Sequence, residues 1–88
     1  MTPQEIRAQF TAAGQRAGFV EVAPLFPHSH PLDLKMRRRS EFGHLDLWVY
    51  FDSDVLSEVV LASDSGHERR PRPRHDLAAG LAMIEELG

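Results

Sequence analysis

One set of side chains is typical of a surface that binds another protein. Tryptophan, tyrosine and arginine are enriched at the energetic centres of protein interfaces. Here they occur in two neighbouring stretches of chain, which also carry a lysine and an aspartate. The set comprises Lys35, Arg37, Asp46, Trp48 and Tyr50. The alternative is that the aliphatic stems of the lysine and the arginine only shield the two rings within a single molecule.

A second set of side chains could bind phosphate groups. Arginines are concentrated in residues 35–39 and 69–74, and cations in such numbers are suited to a nucleic-acid backbone. Aromatic rings nearby could stack on unpaired bases. The formal net charge of the whole chain is −3, whereas dedicated nucleic-acid-binding domains are usually basic. Nucleic-acid binding is therefore an alternative hypothesis, which rests on Arg39, Arg69, Arg70, Arg72 and Arg74.

Two histidines are spaced as in a small metal site. His28 and His30 are separated by one residue, so in an extended segment both imidazoles lie on the same side. Imidazole suits zinc, copper or nickel, but a stable site requires at least a third ligand. The pattern does not identify that ligand. A histidine metal site is therefore a further alternative, and no cofactor is expected.

Catalytic patterns are weak in this sequence. A serine, an acid and a histidine occur together at Ser63, Asp64 and His67, but a catalytic triad is defined by geometry rather than by adjacency in sequence. The sequence contains no phosphate-binding glycine-rich loop and no HExxH motif. We therefore expect a protein that is not an enzyme.

Length and composition favour one small domain. The chain has 88 residues, of which 42% are hydrophobic and 26% charged, values that are ordinary for a globular protein. The absence of cysteine excludes disulfides and thiol chemistry within the chain and favours a reducing, cytoplasmic setting. No apolar run is long enough to predict a membrane span, and the first residues do not resemble a signal peptide. We expect a single domain over residues 1–88.

The two ends of the chain predict helices. Thr2 and Glu5 form the pattern of a capping box around Pro3, which suits the first helical position. Apolar residues then recur at helical spacing as far as Gly18, which predicts a left-handed termination. Asp76 is a good N-cap for a second apolar stripe near the end of the chain.

The middle of the chain predicts an antiparallel meander of three or four strands. Residues 32–37 and 45–52 alternate between apolar and polar side chains around a short turn. If Arg39 is paired with His44, the aliphatic residues share one face, while Arg37 lies opposite Asp46 and Lys35 opposite Trp48 on the other. Residues 19–25 predict a further strand. Residues 55–62 also favour a strand, although their apolar spacing fits a short helix too.

These elements predict an α+β fold of two layers, with both helices on the aliphatic face of the sheet. The opposite face would then carry the two rings, joined by Leu56 and Val60 from residues 55–62. This sidedness leads to the main functional hypothesis. We expect a small accessory, regulatory or inhibitor-type protein that docks on another protein, or on its own copy as a homodimer, through that face and without any membrane.

Overall fold

The computed structural model describes residues 1–23, 30–41 and 43–87. Within them the chain forms two helices and five strands: α1 (Pro3–Arg16), β1 (Val20–Val22), β2 (Leu34–Ser40), β3 (Gly43–Asp52), β4 (Val55–Ser63), β5 (Glu68–Arg69) and α2 (Leu77–Glu85). The strands form one antiparallel sheet in the order β1-β2-β3-β4-β5. The α+β architecture predicted from the sequence is confirmed.

Helix α1 begins as its first residues predict. The Thr2 hydroxyl accepts a hydrogen bond from the Glu5 amide, and the Glu5 carboxylate accepts one from the Thr2 amide, so both halves of the capping box form. The hydrogen bond from the Thr2 backbone amide, followed by that of the Thr2 side chain, lowers the pKa of the Glu5 carboxyl. Gly18 follows the helix with a φ of 88°, a left-handed conformation that glycine adopts without a steric penalty.

The central hairpin has the predicted register. Arg39 pairs with His44, and Met36, Lys35 and Leu34 pair with Leu47, Trp48 and Val49 in turn. The strand assignment of residues 55–62 is also correct, because β4 covers all of them. The apolar residues of the hairpin therefore lie on one face, since side chains of a strand alternate between faces.

Strand β4 does not continue this alternation to its start. The pairing shifts between Tyr50 and Phe51, so that Tyr50 lies opposite Glu58 while Phe51 lies opposite Leu56. One extra residue in β4, Ser57, forms a β-bulge at this point. Leu56 is consequently turned to the helix side, where it belongs to the buried core. The expectation that Leu56 joins the aromatic face was therefore wrong, whereas Val60 does lie on that face, opposite Trp48.

The sheet has five strands, whereas three or four were expected. Residues 63–75 are polar and rich in arginine and proline, a composition typical of a loop, but they contain the two-residue strand β5, which pairs with Leu61 and Ala62 of β4. At the other edge β1 covers only Val20–Val22, so it is shorter than the predicted strand 19–25, and residues 24–29 lie outside the described part.

Both helices pack on the aliphatic face of the sheet. Gly14 of α1 approaches the Met36 and Leu47 side chains, and Gly80 of α2 approaches Phe10 and Val59. A methyl group on Gly80 would lie only 2.9 Å from the Phe10 ring, which explains why glycine occupies this position. The shortest dimension of the molecule is 20 Å, consistent with one sheet and one helix layer at about 10 Å each.

Arg38 joins the C-terminal ends of the two helices. It belongs to β2, and its guanidinium donates hydrogen bonds to the Ala17 carbonyl after α1, at 2.7 Å, and to the Leu87 carbonyl after α2, at 3.4 Å. The same group lies 5.3 Å from the centre of the Phe19 ring. Helix C-termini carry unpaired carbonyls and partial negative charge, so a cation there is stabilising.

Candidate functional site

The sheet face opposite the helices carries all five residues of the predicted protein-binding set. Register and alternation place Lys35 and Arg37 of β2 beside Trp48 and Asp46 of β3, with Tyr50 two residues further along. We call this surface the aromatic face. The helices pack on the other side of the sheet, and neither of them covers the two rings.

The centre of the aromatic face is a compact cluster. The Trp48 and Tyr50 rings are stacked with their centroids 5.8 Å apart and their planes within 3° of parallel. The Lys35 ammonium lies 4.4 Å from the centre of the Trp48 ring, a cation–π contact. Lys35 is only 5% exposed, and both rings are half-buried. The lysine stem therefore packs over the rings, as the single-molecule alternative expects, but it leaves part of each ring in contact with solvent.

Ion pairs surround this cluster. Arg37 donates two hydrogen bonds to Asp46, at 2.8 and 3.2 Å. Arg70, which follows β5, lies between Glu58 and Glu68 with contacts of 2.6 and 2.7 Å. With Lys35, these pairs bring three cations and three carboxylates to the surroundings of the rings, and the Asp33 carboxylate also lies near Tyr50. The surface around the rings is therefore close to neutral rather than basic.

Towards β4 and β5, the aromatic face forms a shallow concavity of about 360 Å³. Its lining includes the apolar groups of Trp48, Tyr50 and Val60 and the charged groups of Glu58, Glu68 and Arg70. The sequence hypothesis included neither glutamate in the site and placed Arg70 only in the nucleic-acid set. The alternation of β4 would have indicated Glu58, because it lies opposite Tyr50, whereas Glu68 and Arg70 follow from a strand pair that has no sequence periodicity.

Tyr50 titrates in an unusual environment. Burial raises the pKa of its phenol, and the nearby carboxylates of Asp33, Glu58 and Glu68 raise it further, while the positive charge of Arg70 opposes the shift. The ring is thus a neutral, partly buried hydrogen-bonding group at ordinary pH. Such amphipathic groups are well suited to an interface that is apolar at its centre and polar at its rim.

At the opposite edge of the aromatic face, β1 contributes an exposed apolar side chain. Val20 lies opposite Arg37 in the register, which places it on this face, and it is 63% exposed. The apolar surface therefore extends beyond the two rings. The sequence analysis did not assign Val20 to the site, although its strand register would have indicated it.

The arginines of the nucleic-acid hypothesis differ in whether a carboxylate neutralises them. Arg69 pairs with Glu86 of the α2 end at 2.6 Å, and Arg70 pairs with the two glutamates described above. Arg39, Arg72 and Arg74 are exposed and form no ion pair with another described residue. The set is therefore divided between neutralised and free cations.

Of the two histidines in the metal hypothesis, only His30 can be placed, because His28 lies outside the described residues. The backbone N–H of Leu32 donates to His30 Nδ1 at 3.1 Å, and the His30 ring lies 6.0 Å from that of Phe51. That ring nitrogen is therefore already engaged. Across residues 1–23, 30–41 and 43–87, no three histidine, aspartate or glutamate residues are grouped as metal ligands.

The serine-, acid- and histidine-bearing loop also lacks the arrangement of a triad. Ser65 Oγ lies 2.9 Å from His67 Nδ1, but Asp64 is turned away to the backbone N–H of His44, which donates to it at 2.8 Å. The acid therefore organises the hairpin rather than the imidazole of His67. Ser65 and His67 are both exposed.

Comparisons with known proteins add no relative: no family model, no curated protein and no solved structure matches this chain. Neither described helix has the length and apolar character needed to cross a membrane. Any function must therefore be argued from the geometry of the chain itself.

Proposed function

We propose that this chain is a small non-catalytic protein-binding module that docks through its aromatic face, in an accessory, regulatory or inhibitory role. The observation that carries the proposal is the stacked Trp48–Tyr50 pair, which is half-buried on the side of the sheet that the helices leave uncovered. Rings of this kind dominate the binding energy of protein interfaces.

The charges around the rings also favour a protein partner. Arg37 and Arg70 are already bound to carboxylates of the same face, so a partner does not have to neutralise a strong field. A neutral, aromatic centre with a paired polar rim matches the composition of protein interfaces. A cytoplasmic site of action belongs to the same proposal and rests on the absence of cysteine from the sequence.

The test compares three forms of the protein as bait in an extract of the native host. The double variant Trp48→Ala, Tyr50→Ala removes both rings, and Val55→Ala is the matched control because Val55 is a 65% exposed apolar residue at the β3–β4 turn. We expect a protein that is retained by the wild type and by Val55→Ala and lost by the double variant, with affinities then measured by calorimetry on the purified partner.

Circular dichroism must first show that the double variant is folded, because the proposal requires the rings to be dispensable for the core. Loss of the fold in Trp48→Ala and Tyr50→Ala singly as well as together would show that the rings are structural. A partner retained equally by all forms would contradict the proposal too.

A nucleic-acid role is the second candidate, favoured by the exposed Arg39, Arg72 and Arg74. Phosphate contacts would give an affinity that falls steeply with salt. The triple variant that replaces these arginines with glutamine should then lose binding to single- or double-stranded oligonucleotides at low salt. If the wild type binds neither kind of oligonucleotide at low salt, this candidate is eliminated.

A further inference from the structure

We propose that a cleft at the turn of the β3–β4 hairpin binds a small molecule with an apolar body and a cationic amine head. This site is separate from the aromatic face and goes beyond the proposed function. It lies where the first turns of both helices approach the hairpin turn, and its volume is about 800 Å³. Protein sites for small molecules enclose about 300–1,000 Å³ and are lined mainly by apolar side chains.

The apolar lining of the cleft comes from three elements. Ile6 belongs to the first turn of α1, Leu77 begins α2, and Val55 and Leu56 begin β4. Leu56 belongs to the buried core, whereas Val55 is 65% exposed. An apolar side chain that is exposed within such a cleft gains free energy when a ligand removes it from water. The lining therefore favours an apolar ligand body.

The cleft is formed by the fold itself. Asp52 pairs with Val55 across a two-residue turn, which fixes the end of the hairpin. The Nδ1 atom of His75 lies 3.4 Å from the Ser57 carbonyl oxygen, so the segment before α2 is held against β4. Because α1, α2 and the hairpin turn all contribute to the lining, the cleft suits a compact molecule rather than an extended chain.

Two carboxylates make the cleft selective for a cation. Asp52 and Asp54 both belong to its lining, and neither forms an ion pair with another described residue. An ammonium group placed between them would be attracted by both, whereas a carboxylate would be repelled. The charges of the lining therefore select the head group of the ligand.

Charged neighbours of the lining residues do not cancel these two carboxylates, because the neighbours offset one another. The offsetting charges are Glu5 and the α-amino group that acts on it, Arg7 and Glu21, Glu58 and Arg70, and Asp76 and Arg74 on either side of His75. The negative charge of Asp52 and Asp54 therefore remains uncompensated at the cleft.

The test uses octylamine, octanoate and octanol, which share one apolar chain and differ in the charge of the head. Each is titrated at pH 8 into the full chain, and amide shifts in the ¹⁵N–¹H spectrum locate the site. We expect saturable shifts at residues 52–57 and 75–77 with octylamine, weaker binding of octanol and the weakest binding of octanoate. Shortening octylamine to hexylamine should weaken binding by about two- to fourfold per methylene.

Two substitutions separate the charge from the apolar contact. The Asp52→Asn, Asp54→Asn variant should weaken octylamine binding by about two- to tenfold, the effect of exposed ion pairs, and leave octanol binding unchanged. Glu41→Gln is the matched control, since it neutralises an exposed acid in the β2–β3 turn. Val55→Thr should weaken octylamine and octanol alike, whereas Val20→Thr, at a 63% exposed position of β1, should weaken neither.

Equal binding of octylamine and octanoate would overturn the inference, as would undiminished octylamine binding by the Asp52→Asn, Asp54→Asn variant. Shifts centred on Trp48 and Tyr50, or no saturable binding at millimolar concentration, would overturn it too. The proposed function fails or stands separately. The Trp48→Ala, Tyr50→Ala variant should bind octylamine like the wild type, and the Asp52→Asn, Asp54→Asn variant should retain the protein partner.

Discussion

Replacing Arg38 with methionine tests whether a single guanidinium holds the two helix ends to the sheet. The substitution keeps a long apolar stem but removes the hydrogen bonds to the Ala17 and Leu87 carbonyls. A hydrogen bond from a charged group contributes about 1.5–3 kcal/mol, and the bond to Leu87 is too long at 3.4 Å to add much. Arg38 Nε is buried without a partner among the described groups, so its removal returns part of a desolvation cost.

The expected net loss in the free energy of unfolding is therefore about 2 kcal/mol. For a domain of this size, that corresponds to a fall in Tm of about 8–16 °C. Chemical denaturation followed by circular dichroism measures the free energy directly. The slope with denaturant should stay unchanged, because the variant alters stability rather than the surface exposed on unfolding.

Arg39→Met is the matched control, since Arg39 is the next residue of β2 and is exposed. Its substitution should change the free energy of unfolding by less than about 0.5 kcal/mol. Equal stabilities of the Arg38→Met and Arg39→Met proteins would refute the assigned role of Arg38. A large loss in both would mean that arginine stabilises β2 itself rather than the helix ends.

Three further outcomes are expected. Gly80→Ala should destabilise the protein by about 1 kcal/mol in thermal unfolding, because overpacking against the Phe10 ring costs about 1–3 kcal/mol and exceeds the helix propensity gain of about 1 kcal/mol; a more stable variant would contradict the close packing. Because the folded state raises the pKa of Tyr50, stability should fall as the pH rises from 10.0 towards the raised value. Because the chain has one tyrosine, the absorbance of tyrosinate measures the pKa of Tyr50 directly. Titration at the ordinary pKa of tyrosine would refute the assigned burial of this phenol. Asp76→Ala should lower stability by about 1 kcal/mol, because the Asp76 carboxylate accepts from the Ala79 amide at 2.9 Å, and no change would show that this cap is dispensable.

The parts of the fold predicted from sequence are those where local signals agree. The β2–β3 register could be predicted because one pairing satisfied both faces at once, with Met36 opposite Leu47 and Arg37 opposite Asp46. The two helices were bounded by capping residues whose hydrogen bonds span only three positions. Such short-range constraints are readable without knowledge of the tertiary structure.

The features that the sequence did not predict depend on long-range pairing. The bulge at Ser57, which moves Leu56 into the core, adds a single residue and leaves no pattern of its own. Strand β5 is too short to show a period. Arg38 reads as one more cation of a basic run, and its role emerges only because two helix ends, one on each side of it in sequence, converge on the same strand.

Separation in sequence also limited the prediction of the candidate site. Trp48 and Lys35 were placed together because they face each other across the hairpin. Glu68 and Arg70 approach the rings only through the β4–β5 pair, whose register no local signal specifies. Lys35, Arg37 and Asp46, the charged residues predicted from the sequence, would give the face a net positive charge, whereas the added Glu58, Glu68 and Arg70 make it nearly neutral.

The parallel arrangement of Trp48 and Tyr50 also makes the folded chain optically distinctive. The protein has one residue of each kind, with ring centres only 5.8 Å apart, so light absorbed by the phenol passes efficiently to the indole. The two residues are only two positions apart in sequence, so even the unfolded chain keeps their Cα atoms within about 7 Å, and tyrosine emission should stay weak in both states. Unfolding should instead be visible in the emission of Trp48, the one indole of the chain, because its half-buried ring becomes fully exposed to water.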